Sequence, residues 1–127
     1  SHGNLLANFA QVQTLIDLTR NDRVLNVLPV FHAFGLLGGV LLPLLKGCPS
    51  FQYPSPLHYR QIPELCYALG VTCLFGTNTF LRAYANNAPQ YDMYRMRFVI
   101  AGAEKLTDDT RALWSDRFGI RIFEGYG

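Results

Sequence analysis

Apolar residues along the chain switch between two spacings, and the switching predicts a run of alternating helices and strands. Leu5, Leu6, Phe9, Val12 and Ile16 recur at helical spacing behind Asn4, a residue suited to a cap, and predict an amphipathic helix over residues 4–19. VLNVLP at 24–29 reads as a buried strand, and residues 34–45 as a second, very apolar helix stopped by Lys46-Gly47 and followed by Pro49. SFQY at 50–53 is a short strand. PSPLHYRQIPELCYALG gives a turn and a helix ending at Gly70, VTCLFG at 71–76 a strand, and TNTFLRAYANNA a helix. A polar connection around 89–94 leads to FVIAG, a strand of short apolar residues running into glycine. KLTDDTRALWSDRFG follows as a helix with Thr107 as N-cap, Asp108 and Asp109 in its first turn and Gly119 as its stop; IRIFEGYG closes as a strand entering a glycine turn.

Strands that are almost continuously apolar, each separated from the next by a helix, predict an open, mostly parallel α/β sheet with helices on both faces. Ligands collect at the carboxyl ends of such strands, which directs attention to the loops after Leu28, Gly76, Ala101 and Glu124. No internal repeat or linker divides the chain. The helix that starts within the first four residues and the strand that stops inside Gly-Tyr-Gly give the expectation that residues 1–127 are a single α/β fragment, truncated at both ends.

Composition narrows the class. With 50% hydrophobic and 16% charged residues the chain can bury a sizeable core, which excludes long disorder. Eleven basic against nine acidic residues, dispersed, give a formal charge of +2 and no reason to expect a nucleic-acid partner. Cys48, Cys66 and Cys73 are odd in number, lie in apolar surroundings and form no CxxC pair, so they read as buried thiols of a reducing compartment. His2, His32 and His58 have no partner at a metal-site spacing. Residues 24–45 carry no charge and are long enough to cross a bilayer, but Pro29, Pro43 and His32 interrupt them, so strand, turn and buried helix is the better reading. No secretory signal is visible, and the chain is expected to be soluble, with no membrane contact of its own.

Three short segments carry candidate chemistry, each with a plain structural alternative. His32 stands between Phe31 and Phe34 at a strand-to-helix junction, either as a polar group at the mouth of an apolar cavity or as a histidine bonded to local backbone. Gly35, Gly38 and Gly39 behind it admit a ligand or serve helix packing. In AGAEKL, Gly102 and Ala103 follow a strand closely enough for a flat ring to lie on the backbone. Glu104 either satisfies free N–H groups at a helix start or faces a nucleotide. Tyr126 in EGYG is placed to stack on a base or to fill an ordinary turn. There is no GxxxxGK[ST], GxGxxG or GxSxG pattern, and Asp108-Asp109 reads as a solvated helix start.

Taken together and in order, LPVFHAFG at 28–35, AGAEKL at 101–106 and EGYG at 124–127 resemble the adenylate-forming superfamily of acyl-CoA synthetases, luciferases and peptide-synthetase adenylation domains. SHGNLLAN resembles the helix after that family's phosphate loop. YPSPLHYR, FGTNTFL and LWSDRFGIRIFEGYG narrow the likeness to one branch, the synthetase half of bacterial bifunctional 2-acylglycerophosphoethanolamine acyltransferase/acyl-[acyl-carrier-protein] synthetases. The resemblance implies a parent enzyme on the cytoplasmic face of the inner membrane. There a fatty acid carboxylate attacks the α-phosphorus of ATP with Mg2+, acyl carrier protein takes the acyl group from the acyl-AMP, and the partner half passes it to lysophosphatidylethanolamine.

Carried over by motif, the resemblance gives Gly102, Ala103 and Glu104 to the adenine loop and Tyr126 to adenine stacking, with Gly125 and Gly127 leaving room. It puts His32 beside the acyl-adenylate, Phe31 and Gly35 next to it, and Gly76 and Thr77 along the acyl or pantetheine passage. The family's phosphate loop, magnesium-holding acid, ribose-binding acid and mobile lysine domain have no counterpart in these residues, so this chain alone is expected to be inert. Two alternatives stay open: a long-chain acyl-CoA synthetase using CoA, and a non-catalytic α/β binding module.

Overall fold

The computed structural model describes residues 17–28 and 33–124. Most of the expected first helix lies outside them, and residues 17–19 are not helical. Five strands, β1 (Val24–Asn26), β2 (Ser50–Gln52), β3 (Cys73–Gly76), β4 (Phe98–Ala101) and β5 (Ile122–Glu124), form one parallel sheet in the order β2-β1-β3-β4-β5. Each strand is joined to the next in sequence through helix, so every strand points the same way and all the carboxyl ends gather along one edge.

Side-chain alternation along the strands assigns the two faces. Leu25, Leu74, Val99, Ala101 and Ile122 belong to one core, with Ile62 and Cys66 of α3 (Gln61–Leu69), Leu81, Tyr84 and Ala85 of α4 (Asn78–Asn87) and Trp114 of α5 (Asp108–Phe118). Val24, Cys73, Phe75 and Ile100 face the other way, against Leu42. That second face is covered by the helical run from Ala33 to Lys46, so the sheet is covered on both sides.

The run is not the single α-helix that its composition suggests. It consists of α1 (Ala33–Leu36), a π-helical turn (Leu37–Leu41) and α2 (Leu42–Lys46). Pro43 lacks an N–H to continue the i→i−4 ladder, and Gly38 and Gly39 admit the wider turn. The two glycines also set how close it comes: a Cβ on Gly38 would stand 2.6 Å from the Phe75 ring.

The other elements follow the expected stops and caps. α3 and α5 end on Gly70 and Gly119 in the left-handed conformation, at φ 64° and 67°. Thr107 caps α5 as expected, and Thr77, read from the sequence as part of the helix, instead caps α4; each accepts a bond from the backbone N–H three residues on. The polar connection contains a 3-10 turn at Gln90–Met93. Cys48, Cys66 and Cys73 are all buried free thiols. No helix among the described residues is long and apolar enough to cross a membrane.

Candidate functional site at the carboxyl ends of the strands

β3 and β4 end side by side, Gly76 opposite Ala101, and the ladder extends one step further because Gly102 N–H donates to Gly76 O at 3.1 Å. Two sequence-nominated loops, Gly76-Thr77 and Gly102-Ala103-Glu104, therefore leave the sheet side by side. Gly76 has no room for a side chain, since a Cβ would lie 2.9 Å from Leu81 Cδ2. Thr77 is nearly buried, with 9% exposure, and its Oγ1 is committed to the Phe80 N–H.

Beyond Gly102 the chain bends sharply. Ala103 has φ 67°, the left-handed region that an L-residue occupies at a cost of about 1–2 kcal/mol. The bend leaves Gly102 buried and Ala103 and Glu104 exposed, so the exposed backbone at Ala103 carries only a methyl group. Such a surface suits a planar ring, which needs close backbone approach.

The bend is held by reciprocal capping between the two loops. Glu104 Oε2 accepts from Thr79 N–H at 3.2 Å and from Thr79 Oγ1 at 2.8 Å, at the N-terminus of α4. In return, Asn78 Oδ1 accepts from Thr107 N–H at 3.0 Å and Thr107 Oγ1 at 3.2 Å, at the N-terminus of α5. Glu104 thus does satisfy helix-start donors, but those of the preceding helix. Neither stitch is nominated by the sequence; Asn78-Thr79 and Glu104 are far apart along the chain, and their partnership becomes visible only once β3 and β4 pair. Asp108 and Asp109 are solvent-exposed in the first turn of α5, as a plain helix start would have them.

On the far side of β4, Glu124 lies opposite Ala101 and is ion-paired with Arg111 of α5, which also donates to Ile122 O at 3.3 Å. The pair fixes the end of β5 beside the end of β4. Gly35 is buried in α1 after the carboxyl end of β1. Phe31, His32, Gly125, Tyr126 and Gly127 lie outside the described residues. Among the described residues no three His, Cys, Asp or Glu side chains gather as a metal site.

Known proteins share both the sequence pattern and this fold. The chain is 29% identical, over its whole length, to a probable 4-coumarate–CoA ligase 3 of Dictyostelium discoideum, of which it spans 24%. It is 32% identical, again over its whole length, to a feruloyl-CoA synthase of Amycolatopsis sp, of which it spans 26%. The crystal structure of ATP-bound MatB from Rhodopseudomonas palustris superposes with a TM-score of 0.88 at 26% identity, covering all of this chain and 25% of MatB. The chain therefore spans about a quarter of the length of these relatives. An ordered set of strand-end motifs, a parallel sheet whose carboxyl ends share one edge, and a sequence match running from residue 1 to residue 127 agree: the chain belongs to the AMP-binding enzyme family.

Proposed function

We propose that the parent protein is an ATP-dependent ligase that activates a carboxylic acid as its adenylate and passes the acyl group to a pantetheine thiol. Residues 1–127 are one α/β part of its nucleotide- and acid-binding domain. The observation that carries this reading is the pair of adjoining loops after β3 and β4, with the left-handed Ala103 and the cross-capped helix starts. The small residues of the Gly102-Ala103-Glu104 bend fit adenine, and Tyr126 between Gly125 and Gly127 supplies the opposite face. When bound, Mg-ATP offers the electrophilic α-phosphorus; the residues here bind and orient around it. Phe31, His32 and Gly35 serve the acid's carboxylate, and Gly76 and Thr77 the acyl or pantetheine passage.

Within that reading the substrate is a fatty acid, the acceptor is acyl carrier protein, and the acyl group goes on to 2-acylglycerophosphoethanolamine through an acyltransferase half at the cytoplasmic face of the inner membrane. The motifs YPSPLHYR and FGTNTFL support this branch. A second reading has equal support: relatives named long-chain-fatty-acid–CoA ligase in Haemophilus influenzae and Yersinia pestis favour CoA as the acceptor.

Acid-dependent ATP–pyrophosphate exchange on the full-length parent tests the reading without assuming an acceptor. Exchange with a long-chain fatty acid, absent with 4-hydroxycinnamate and benzoate and lost in Tyr126→Ala, is the expected result; no exchange with any acid overturns the ligase assignment. Competition between carrier protein and CoA for the acyl group then separates the two acceptors. Residues 1–127 alone are expected to give no turnover, because transition-state charge on the phosphates needs groups that these residues do not supply. Turnover above a His32→Ala control would refute that.

A further inference from the structure

The amino ends of the strands carry a surface of their own, at the edge of the sheet opposite the candidate site. Arg20 and Arg23 precede β1, Arg95 and Arg97 precede β4, and Arg121 precedes β5; all five are exposed. Arg97 is committed to the buried Asp22, which leaves four cations uncompensated by it. The exposed acids of this edge are Asp17 and Asp116, and Arg117 follows the second.

Among the described residues, five of the six large apolar side chains that stand exposed lie at the same edge. Leu44 and Leu45 end α2 at 71% and 62% exposure, and Arg20 stands beside them, its Cγ 3.9 Å from where a Cβ on Gly47 would be. On the other face of the sheet, near the end of α3, the Tyr67 ring lies 5.7 Å from that of Tyr91 and 5.4 Å from that of Tyr94. Arg23 Nη1 donates to Leu69 O at 2.8 Å, and the Arg95 guanidinium stands 5.6 Å from the Tyr94 ring, so both cations flank the tyrosines. Seen end-on, the three layers present a leucine pair, a row of arginines and a group of three tyrosines.

Single exposed apolar residues need no partner, but these share one edge with the cations. A polyanion alone would pair with the arginines and leave Leu44 and Leu45 in water. An apolar protein face would bury the leucines and strip water from arginines that have few acids beside them. A leaflet of anionic lipid answers both: guanidinium groups pair with phosphate, tyrosine lies at the headgroup level and leucine enters the acyl boundary.

We propose that this edge is a docking surface for an anionic phospholipid leaflet. The contact is peripheral, without a span, and departs from the expectation that the chain has no membrane contact of its own. It turns the carboxyl ends of the strands, with the Gly102-Ala103-Glu104 bend, away from the lipid. The docking surface does not depend on the ligase reading.

The test incorporates the full-length parent into vesicles of phosphatidylcholine alone, or of phosphatidylglycerol and phosphatidylcholine in equal parts, so that an anchor elsewhere in the parent acts alike in both. Amide hydrogen exchange is expected to slow several-fold at residues 20–23, 44–47 and 91–97 in the anionic vesicles, to recover in high salt, and to stay unchanged at 77–79 and 102–107. Arg20→Gln, Arg95→Gln and Arg121→Gln should each lower the docking equilibrium roughly fivefold, and Leu44→Ser with Leu45→Ser should weaken it while leaving its salt dependence. The salt series on the unsubstituted protein gives the charge reading without any variant. Equal protection in neutral vesicles, or none in either, overturns the proposal. So does protection already present without lipid, whether fixed, as the rest of the parent would give, or rising with protein concentration, as a second copy would. Protection by polyglutamate equal to that by anionic vesicles assigns the edge to an acidic protein and overturns it as well. Absence of ATP–pyrophosphate exchange in the same preparation overturns the ligase reading and leaves the docking result standing.

Discussion

Glu104 caps the helix that precedes it in sequence, its Oε2 holding both the backbone N–H and the hydroxyl of Thr79 between the loops that follow β3 and β4. The contact keeps the bend at Ala103 closed against α4. Glu104→Ala is expected to lower stability by about 1 kcal/mol, the usual worth of a cap, and to raise the KM for ATP in the parent enzyme. Glu104→Gln keeps an acceptor oxygen and should fall between the two. A double-mutant cycle with Thr79→Val measures the coupling, and additive losses would show that the contact contributes nothing.

At the opposite edge of the sheet, Asp22 is 1% exposed and held by Arg97 Nη1 on both carboxylate oxygens at 2.9 and 2.8 Å, by Thr72 Oγ1 at 2.7 Å and by Thr19 N–H at 2.8 Å. The cluster gathers the starts of β1, β3 and β4. Arg97→Ala leaves a buried carboxylate without its cation and should cost about 2–3 kcal/mol in urea unfolding, less than for a fully buried pair because the Arg97 side chain is 49% exposed. Ligand constants should not move, since the cluster lies at the amino ends of the strands.

Asp92 is buried in the 3-10 turn, and its Oδ2 has no hydrogen-bond partner among the described residues. Burial, and then the neighbouring charge of Glu64, raise its carboxyl above the ordinary carboxylate value. The fold thus holds this proton more tightly than the unfolded chain, so the group subtracts stability as pH rises through the raised value and subtracts none below the unfolded one. Asp92→Asn, which cannot ionise, should therefore lose less stability than wild type as pH rises from about 4 to neutral. Denaturant midpoints across that range check it.

Burial, with the charge of Asp92 second, pushes the Cys66 thiol up to about 12, and burial likewise raises Cys48 and Cys73. All three should resist a thiol reagent at neutral pH in the folded protein and react together on unfolding. Above pH about 9, where an unfolded thiol ionises, these groups should begin to lower stability as the unfolded chain releases protons that the fold retains. Rapid labelling of the native protein would contradict the burial.

Much of this architecture is legible in local chemistry. Thr107 followed by two aspartates, and Gly70 and Gly119 after apolar-periodic runs, declare helix ends because the orphan N–H and C=O groups there need nearby partners. The strands are legible because a residue covered on both faces has little choice but to be apolar. Residues 34–45 mislead for the same reason: an apolar run with glycines reports burial but not hydrogen-bond register, and the π-turn is chosen by the Asn26 and Phe75 side chains it rests on.

The site divides along the same line. By itself the sequence determined which residue types stand at the carboxyl ends of the strands, since small residues after a strand and a flanking threonine cap are local features. Only the tertiary structure decided that Glu104 serves Thr79, that Asn78 serves Thr107, and that Asn26 reaches Gly39 through Gln52. These partners are 25, 29 and 13 to 26 residues apart, and nothing in a linear pattern specifies them. They meet because parallel pairing aligns strand ends distant in sequence, which brings polar groups far apart along the chain within hydrogen-bond reach of one another.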